Sequence, residues 1–355
     1  MNGWSRFALA VCAAFLVAGC QSMGAGSVQR DRLGYANAIG TSWKEQALLN
    51  IVKMRYLDTP VFLEVSSVIS SYELAGEISL SSNLFPGSPL DTNRTFGATG
   101  TYADKPTISY VPVTGDRYMT SQLRPISPQA IFAMIESGHS ADFVLRLTVR
   151  AINGLYNHQG PGQPGSNATF SEVIAAFRRI QQAGALSVRI EKRGTEEITR
   201  LRFARDMDNA VEKDVRYIQN ALGINASDDD TLLVFGALRP EPGRIALLTR
   251  SVQQILSDLS AGVEVPQRDL DEERATARLP VGAATDGSGG ALIRIRSAAD
   301  RPADAYAAVR YRDLWFWIDD RDLASKRVMM FLMVFSSLAE TGATPQTPLI
   351  TIPAR

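Results

Sequence analysis

Apolar and polar positions along this chain change period several times, and the changes mark out its elements. Trp43, Ala47, Ile51 and Met54 recur at helical spacing behind Ser42-Trp43-Lys44-Glu45, a capping-box string, until Asp58-Thr59-Pro60 interrupts. The spacing predicts a helix of about 15 residues. From Val61 the period drops to two. Tyr72, Leu74, Gly76, Ile78 and Leu80 alternate with Glu73, Ala75, Glu77, Ser79 and Ser81. Thr95 to Tyr102 and Thr107 to Val113 read as further strands, set apart by the Pro/Gly loop Asn83 to Arg94 and by Asp104-Lys105-Pro106. Residues 61–113 are expected to form a β-meander.

Ser127-Pro128 opens a short helix that Gly138 closes, and Phe143 to Ile152, which suits both periods, is read as helix. Asn157 to Ala168 is a Pro/Gly/Asn loop. A helix from Thr169 to Gly184 precedes a hairpin across Arg193-Gly194, and Val211, Val215, Ile218 and Leu222 predict a helix ended by Gly223. Thr231 to Leu238 and Ile245 to Leu248 read as two strands about a Pro/Gly turn, followed by a helix from Ser251 to Leu259. Further strands are expected at Ala291 to Arg296, Tyr306 to Tyr311, Leu314 to Ile318 and Leu349 to Ile352, with a buried helix from Asp322 to Ala339.

Helices and hairpins alternate without long βαβ units. This predicts an α+β fold of mixed antiparallel hairpins and helices, not a doubly wound sheet. The expected division is a signal peptide (1–19), a lipidated Cys with a flexible tether (20–34), a helix plus β-meander subdomain (35–156), an α+β subdomain (169–262), a mobile linker (263–290) and a C-terminal β-hairpin/helix segment (291–355).

The N-terminus changes this picture from a fold to a location. Arg6 is followed by the eleven-residue apolar run Phe7 to Val17 and then by small residues, the layout of an export signal. The run is too short to span, since a crossing helix needs about 20 apolar residues. Val17-Ala18-Gly19-Cys20 resembles the lipobox of bacterial lipoproteins. The resemblance implies a diacylglyceryl group on the Cys20 thiol, cleavage before Cys20, and acylation of the new amine with a palmitate-type chain. Two or more acyl chains hold a protein stably at a bilayer. In that class an Asp after the acylated Cys keeps the protein at the inner membrane; Gln21 stands here, which implies the outer membrane of a Gram-negative bacterium, facing the periplasm. The segment 291–355 resembles uncharacterised proteobacterial outer-membrane lipoproteins, a likeness that implies no activity.

Composition then removes options. Cys12 leaves with the signal and Cys20 is consumed by lipid, so no disulfide or Cys-based metal site is expected. The 37 basic and 37 acidic residues balance, which disfavours nucleic acid as a partner. Gly160-Pro161-Gly162-Gln163-Pro164-Gly165 matches a dinucleotide-loop string, but lacks the preceding strand and the following helix such a loop requires. With His139 and His158 as the sole histidines, and no GxSxG, HExxH or Walker string, no catalytic residue and no cofactor are assigned.

Two constellations remain. Arg310, Tyr311, Arg312, Trp315 and Trp317 mix guanidinium groups with large aromatics, the composition of binding hot spots, and are the candidate binding residues; the alternative is that the tryptophans are core. Asp319, Asp320 and Asp322 read first as helix-capping residues, and otherwise as a cation site or acid/base pair. The leading expectation is a lipid-anchored, non-catalytic binding or scaffolding component of a cell-envelope system with an envelope protein partner. The alternatives are an oligomeric outer-membrane pore or ring inserting β-hairpins, and a carboxylate-dependent cell-wall or glycan hydrolase.

Overall fold

Helix α1 runs from Ala25 to Arg55, 31 residues, about twice the length the apolar spacing predicts. No proline interrupts Ala25–Arg55, so the Ser42 capping string lies inside a continuing helix and caps nothing. The expected flexible tether is accordingly helical from Ala25 onward. The C-terminal half of α1 buries Ala47, Leu48, Ile51, Val52 and Arg55, whereas most of residues 32–43 face solvent. After Arg55 the chain turns through Leu57 (φ 59°), with the Asp58 N–H donating to the Lys53 carbonyl at 2.9 Å.

The computed structural model describes residues 25–69, 72–84, 92–157, 168–193, 196–224, 230–236, 243–275 and 292–339. It divides into two compact units, Val61–Val113 and the remainder, 1–60 with 114–355. Most of the Asn157–Ala168 loop, residues 158–167, lies outside the described residues.

The Val61–Val113 unit holds β1 (Leu63–Ile69), β2 (Tyr72–Leu84), β3 (Thr92–Asp104) and β4 (Thr107–Pro112). A meander would pair each strand with the next. Instead β1 pairs with β4 and β2 with β3, one hairpin nested inside the other. Ile69↔Thr107 and Tyr72↔Asp104 lie three residues apart on both strands, so a single antiparallel register runs from Ser67↔Ser109 to Leu84↔Thr92. The physical reason is turn chemistry: Ser70-Ser71 supplies no Gly, Pro or Asn to reverse the chain, whereas residues 85–91 carry Pro86-Gly87 and Pro89.

In the larger unit, α2 (Gly115–Tyr118) leads into a π-helical turn, Met119–Leu123, and then α3 (Pro128–Glu136). The Ser127 hydroxyl accepts from the Ala130 N–H at 3.2 Å ahead of Pro128, as the sequence predicts. The ambiguous stretch splits: α4 (Ala141–Thr148) is helical and β5 (Val149–Ile152) is a strand. Asn153 and Gly154, both at positive φ, turn β5 into β6 (Leu155–Tyr156). Next come α5 (Ala168–Gln182), β7 (Leu186–Arg193), β8 (Glu196–Phe203) and α6 (Asn209–Leu222), which ends at Gly223 with φ 67°. Strand β9 (Asp230–Phe235) and β10 (Arg244–Thr249) precede α7 (Val252–Ser260), opened by a complete Ser251/Gln254 capping box, and α8 (Gln267–Asp271).

The strand order β6-β5-β10-β9-β8-β7 makes one six-stranded sheet. The two strands expected about the Pro/Gly turn, β9 and β10, run parallel, Arg244 beside Leu232, while the other pairs of this sheet are antiparallel. The fold class is α+β, as expected. Helix α5 packs against α4 and α6, and their buried residues (Leu145, Phe170, Phe177, Ile218) join Ala151, Leu201 and Leu247 of the sheet in the core.

A second sheet has the order β11 (Arg296–Ala298), β13 (Leu314–Asp319), β12 (Ala305–Tyr311), and helix α9 (Leu323–Ala339) follows. Val263 bridges to Ile295 beside Gly262, where a Cβ would stand 2.0 Å from the Ile293 carbonyl oxygen, so only glycine permits the crossing. Of the apolar run in α9, Val328, Met329, Phe331, Leu332 and Phe335 are buried, but Met330 is exposed, so the helix is not enclosed on every side. Among the described residues no helix is long and apolar enough to cross a membrane. Cys20 and the signal, His158, the Gly160–Gly165 string, residues 276–290 and the Leu349–Ile352 strand lie outside the described residues.

Candidate functional site

Four of the five candidate binding residues lie on strands of the second sheet and Arg312 in the turn between β12 and β13, and the pleat sorts them. Strand β13 alternates so that Phe316 and Ile318 are buried while Trp315 and Trp317 are half-buried on the other face. Val309 and Ala307 of β12 pair with Phe316 and Ile318, completing the inner layer. Behind it lies α1: the Tyr56 ring meets Phe316 edge-on with centroids 6.2 Å apart. Trp315 and Trp317 are therefore not the core layer of this sheet.

On the outer face Arg310 pairs with Trp315, and Arg296 of β11 pairs with Trp317. The Arg301 guanidinium lies over the Trp315 ring, 5.1 Å from its centroid. Arg296 is held by Asp319 at 3.1 Å and Arg310 by Asp313 at 3.2 Å, and both arginines keep more than a third of their side chains in water. The result is two adjacent indoles ringed by three guanidinium groups, a surface suited to acidic or aromatic groups on a partner. Arg296 and Arg301 were not legible as members, because they come from different strands and loops.

Tyr311 and Arg312 do not belong to this face. The Tyr311 ring lies 5.5 Å from Tyr56, and its hydroxyl is buried with no hydrogen-bond partner among the described residues. Arg312 and Asp313 form the β12–β13 turn with φ of 47° and 65°, a conformation that Asn-Gly adopts at less cost. Arg312 reaches back to the end of α1, pairing with Asp58 at 3.3 Å and lying 4.6 Å over the Tyr56 ring. Tyr56 in turn donates its hydroxyl to Asp269 at 2.7 Å. Burial first, and then this hydrogen bond to a carboxylate, push the Tyr56 hydroxyl pKa well above its ordinary value. Tyr311 and Arg312 thus belong to a joint linking α1, α8 and the second sheet.

The aspartates are distributed as a helix start. Asp322 accepts from the Ser325 N–H at 3.1 Å and from the Ser325 hydroxyl at 2.7 Å, an N-cap for α9. Asp320 pairs with Lys326 at 2.7 Å, and Asp319 with Arg296. Among the described residues no group of three metal-ligating side chains converges. His139 lies edge-on to Phe331 at 4.6 Å and its carbonyl accepts from Gln181 Nε2 at 2.7 Å.

No protein-family model, curated protein or solved structure matches the chain.

Proposed function

We propose that this chain is a lipid-anchored lipoprotein of the outer membrane, facing the periplasm, and serves as a non-catalytic binding component of a cell-envelope assembly. The anchor is the acylated Cys20. The contact is the outer face of the second sheet, where Trp315 and Trp317 sit among Arg296, Arg301 and Arg310. The observation that supports this reading is the parity of β13: its apolar core residues are Phe316 and Ile318, so the indoles are left for another surface.

The reading is tested in two arms. Mass spectrometry of the native N-terminal peptide is expected to find an acylated Cys20, and Cys20→Ser to release the protein from membranes. In-cell crosslinking is expected to give a discrete envelope-protein adduct that Trp315→Ala with Trp317→Ala removes, while the variant still unfolds in one cooperative thermal transition. An unmodified N-terminus overturns the anchor. An adduct indifferent to both tryptophans overturns the contact.

A further inference from the structure

The β2–β3 hairpin has a composition and a pairing pattern that a binding component anchored at Cys20 does not require. Among the described residues β2 and β3 pair only with each other, leaving both outer backbone edges without a neighbouring strand. Each strand is 13 residues long. A two-stranded ribbon is at best marginal in water, and long open edges are what soluble proteins shorten or block with Pro or Lys. Neither residue occurs in β2 or β3.

The register divides the ribbon into two unlike faces. Leu74↔Tyr102, Gly76↔Gly100, Ile78↔Ala98 and Leu80↔Phe96 share one face, an uncharged series bounded by Arg94 opposite Ser82 and by Asp104 opposite Tyr72. Ala75↔Thr101, Glu77↔Thr99, Ser79↔Gly97 and Ser81↔Thr95 share the other. On that second face Glu77, Ser79, Thr99 and Thr101 are exposed, and the Ser79 hydroxyl donates to the Gly97 carbonyl. Between Arg94 and Asp104, β3 has nine residues free of charge, Thr95 to Ala103. A tilted transmembrane strand needs about 9–11. The aromatic positions Phe96 and Tyr102 stand near the two ends of that stretch, as in the girdles of membrane barrels.

We propose that β2 and β3 cross the outer-membrane hydrocarbon as one hairpin of a closed β-barrel made from copies of this chain. The β2 edge of each copy pairs with the β3 edge of the next. The Leu74/Ile78/Leu80/Phe96/Tyr102 face meets lipid, and the Glu77/Ser79/Thr99/Thr101 face lines an aqueous lumen. Ring closure satisfies both open edges at once, which one added partner strand cannot do, and head-to-tail pairing of identical hairpins closes without leaving an edge. Every neighbour in such a ring is antiparallel and the strand count is even. Glu73 and Glu77 on the lumen face give the pore a preference for cations.

The barrel rests on the outer-membrane anchor at Cys20 proposed above and not on the Arg–Trp face; an unmodified N-terminus overturns the anchor, whereas the bilayer measurements below test the barrel alone. Full-length lipidated protein, extracted in detergent, is added to planar bilayers. It is expected to give discrete, cation-preferring conductance steps and an oligomer resistant to mild detergent. Ile78→Lys, on the lipid face, is expected to cut step frequency at least tenfold. Ser79→Lys, one residue away on the lumen face, is expected to keep the steps and reduce or reverse the ion preference. Equal effects of the two variants, or no steps from the wild type, overturn the proposal.

Single cysteines placed at positions 74–81 keep it testable should Ile78→Lys not fold. In intact membranes an aqueous thiol reagent is expected to label the odd positions and spare the even ones. Uniform labelling, the pattern of a ribbon lying in water, overturns it, as does uniform protection, the pattern of a ribbon enclosed by a partner protein.

Discussion

Arg250 Nε stands 2.7 Å from Asp258 Oδ2, and 4% of the arginine side chain reaches solvent. The rest of its guanidinium donates to the Arg146, Val149 and Asn157 carbonyls at 2.8–3.0 Å, so one side chain ties the end of α4, β5 and the segment after β6 to α7. Burial opposes ionisation of both partners, pushing Asp258 up and Arg250 down from their ordinary ranges. Such a pair contributes geometry more than net stability, and the large effect comes from breaking it one-sidedly. Arg250→Ala is expected to cost about 3–5 kcal/mol, read from the urea midpoint at constant m. Arg250→Lys is expected to recover little, because an ammonium cannot serve four acceptors in one plane. A double Arg250→Met, Asp258→Leu variant is expected to regain most of the loss. A cost below about 1 kcal/mol for the alanine variant, the range of an exposed pair, would show that this clamp is open to water.

Tyr56 makes stability depend on alkaline pH in one direction. Its hydroxyl is buried and donates to Asp269, so its pKa in the folded chain lies above the unfolded value of about 10. The folded state then keeps a proton that the unfolded state gives up. The contribution is complete below pH ~10 and is lost as pH rises from there toward the folded value. The stability difference between wild type and Tyr56→Phe is expected to be flat from pH 7 to 9. Above that it should shrink, with a slope approaching about 1.4 kcal/mol per pH unit. A difference that stays constant to pH 11.5 contradicts the buried hydrogen bond.

Local signals carried through where one segment decides its own conformation. Ser127-Pro128, the helix start at Ser251 and Gly223 after Leu222 lie where the sequence places them, because each acts on backbone groups within four residues. The Ser42 string failed for the same physical reason in reverse: a capping motif is optional wherever the helix can continue upstream. The nested pairing of β1 with β4 was hidden because alternation gives a strand's faces but not its partner. The parallel register of β9 and β10 was hidden likewise. The candidate site was half legible. Arg and Trp content drew attention to 310–317, but the strand period had to be combined with the position of α1 before Trp315 and Phe316 could be assigned to opposite faces. The Arg312–Asp58 pair joins residues 254 apart in sequence, and no local pattern announces it.

Asp322 separates the capping and catalytic readings of the aspartate cluster. As N-cap of α9, Asp322→Ala is expected to cost about 1 kcal/mol, with Asn nearly as good as Asp in the position apart from a few tenths for the lost charge at the helix start. Asp320→Asn breaks only the partly exposed pair with Lys326 and is expected to cost well under 1 kcal/mol. Thermal unfolding of the three variants checks the ranking. Loss of a glycan-cleaving activity in Asp319→Asn at unchanged stability would instead make these carboxylates an acid/base pair.

The two faces of β13 predict opposite consequences for neighbouring aromatic residues. Phe316 is fully buried against Tyr56 and Val309, so Phe316→Ala removes a ring from a filled layer and is expected to cost about 3–5 kcal/mol. Trp315 is larger, but it is only partly buried, and what it holds is Arg301 over its face, a contact worth about 0.5–1 kcal/mol at an exposed site. Trp315→Ala is therefore expected to cost about 1–2 kcal/mol, near the centre of the range for single substitutions, despite deleting more atoms. Tyr311→Phe supplies the control for the inner side: among the described residues its buried hydroxyl has no partner, so removal is expected to be neutral or slightly stabilising. Denaturant midpoints for the three variants decide the matter together. If Trp315→Ala proves as costly as Phe316→Ala, the indoles are core after all and the outer face is not available for binding.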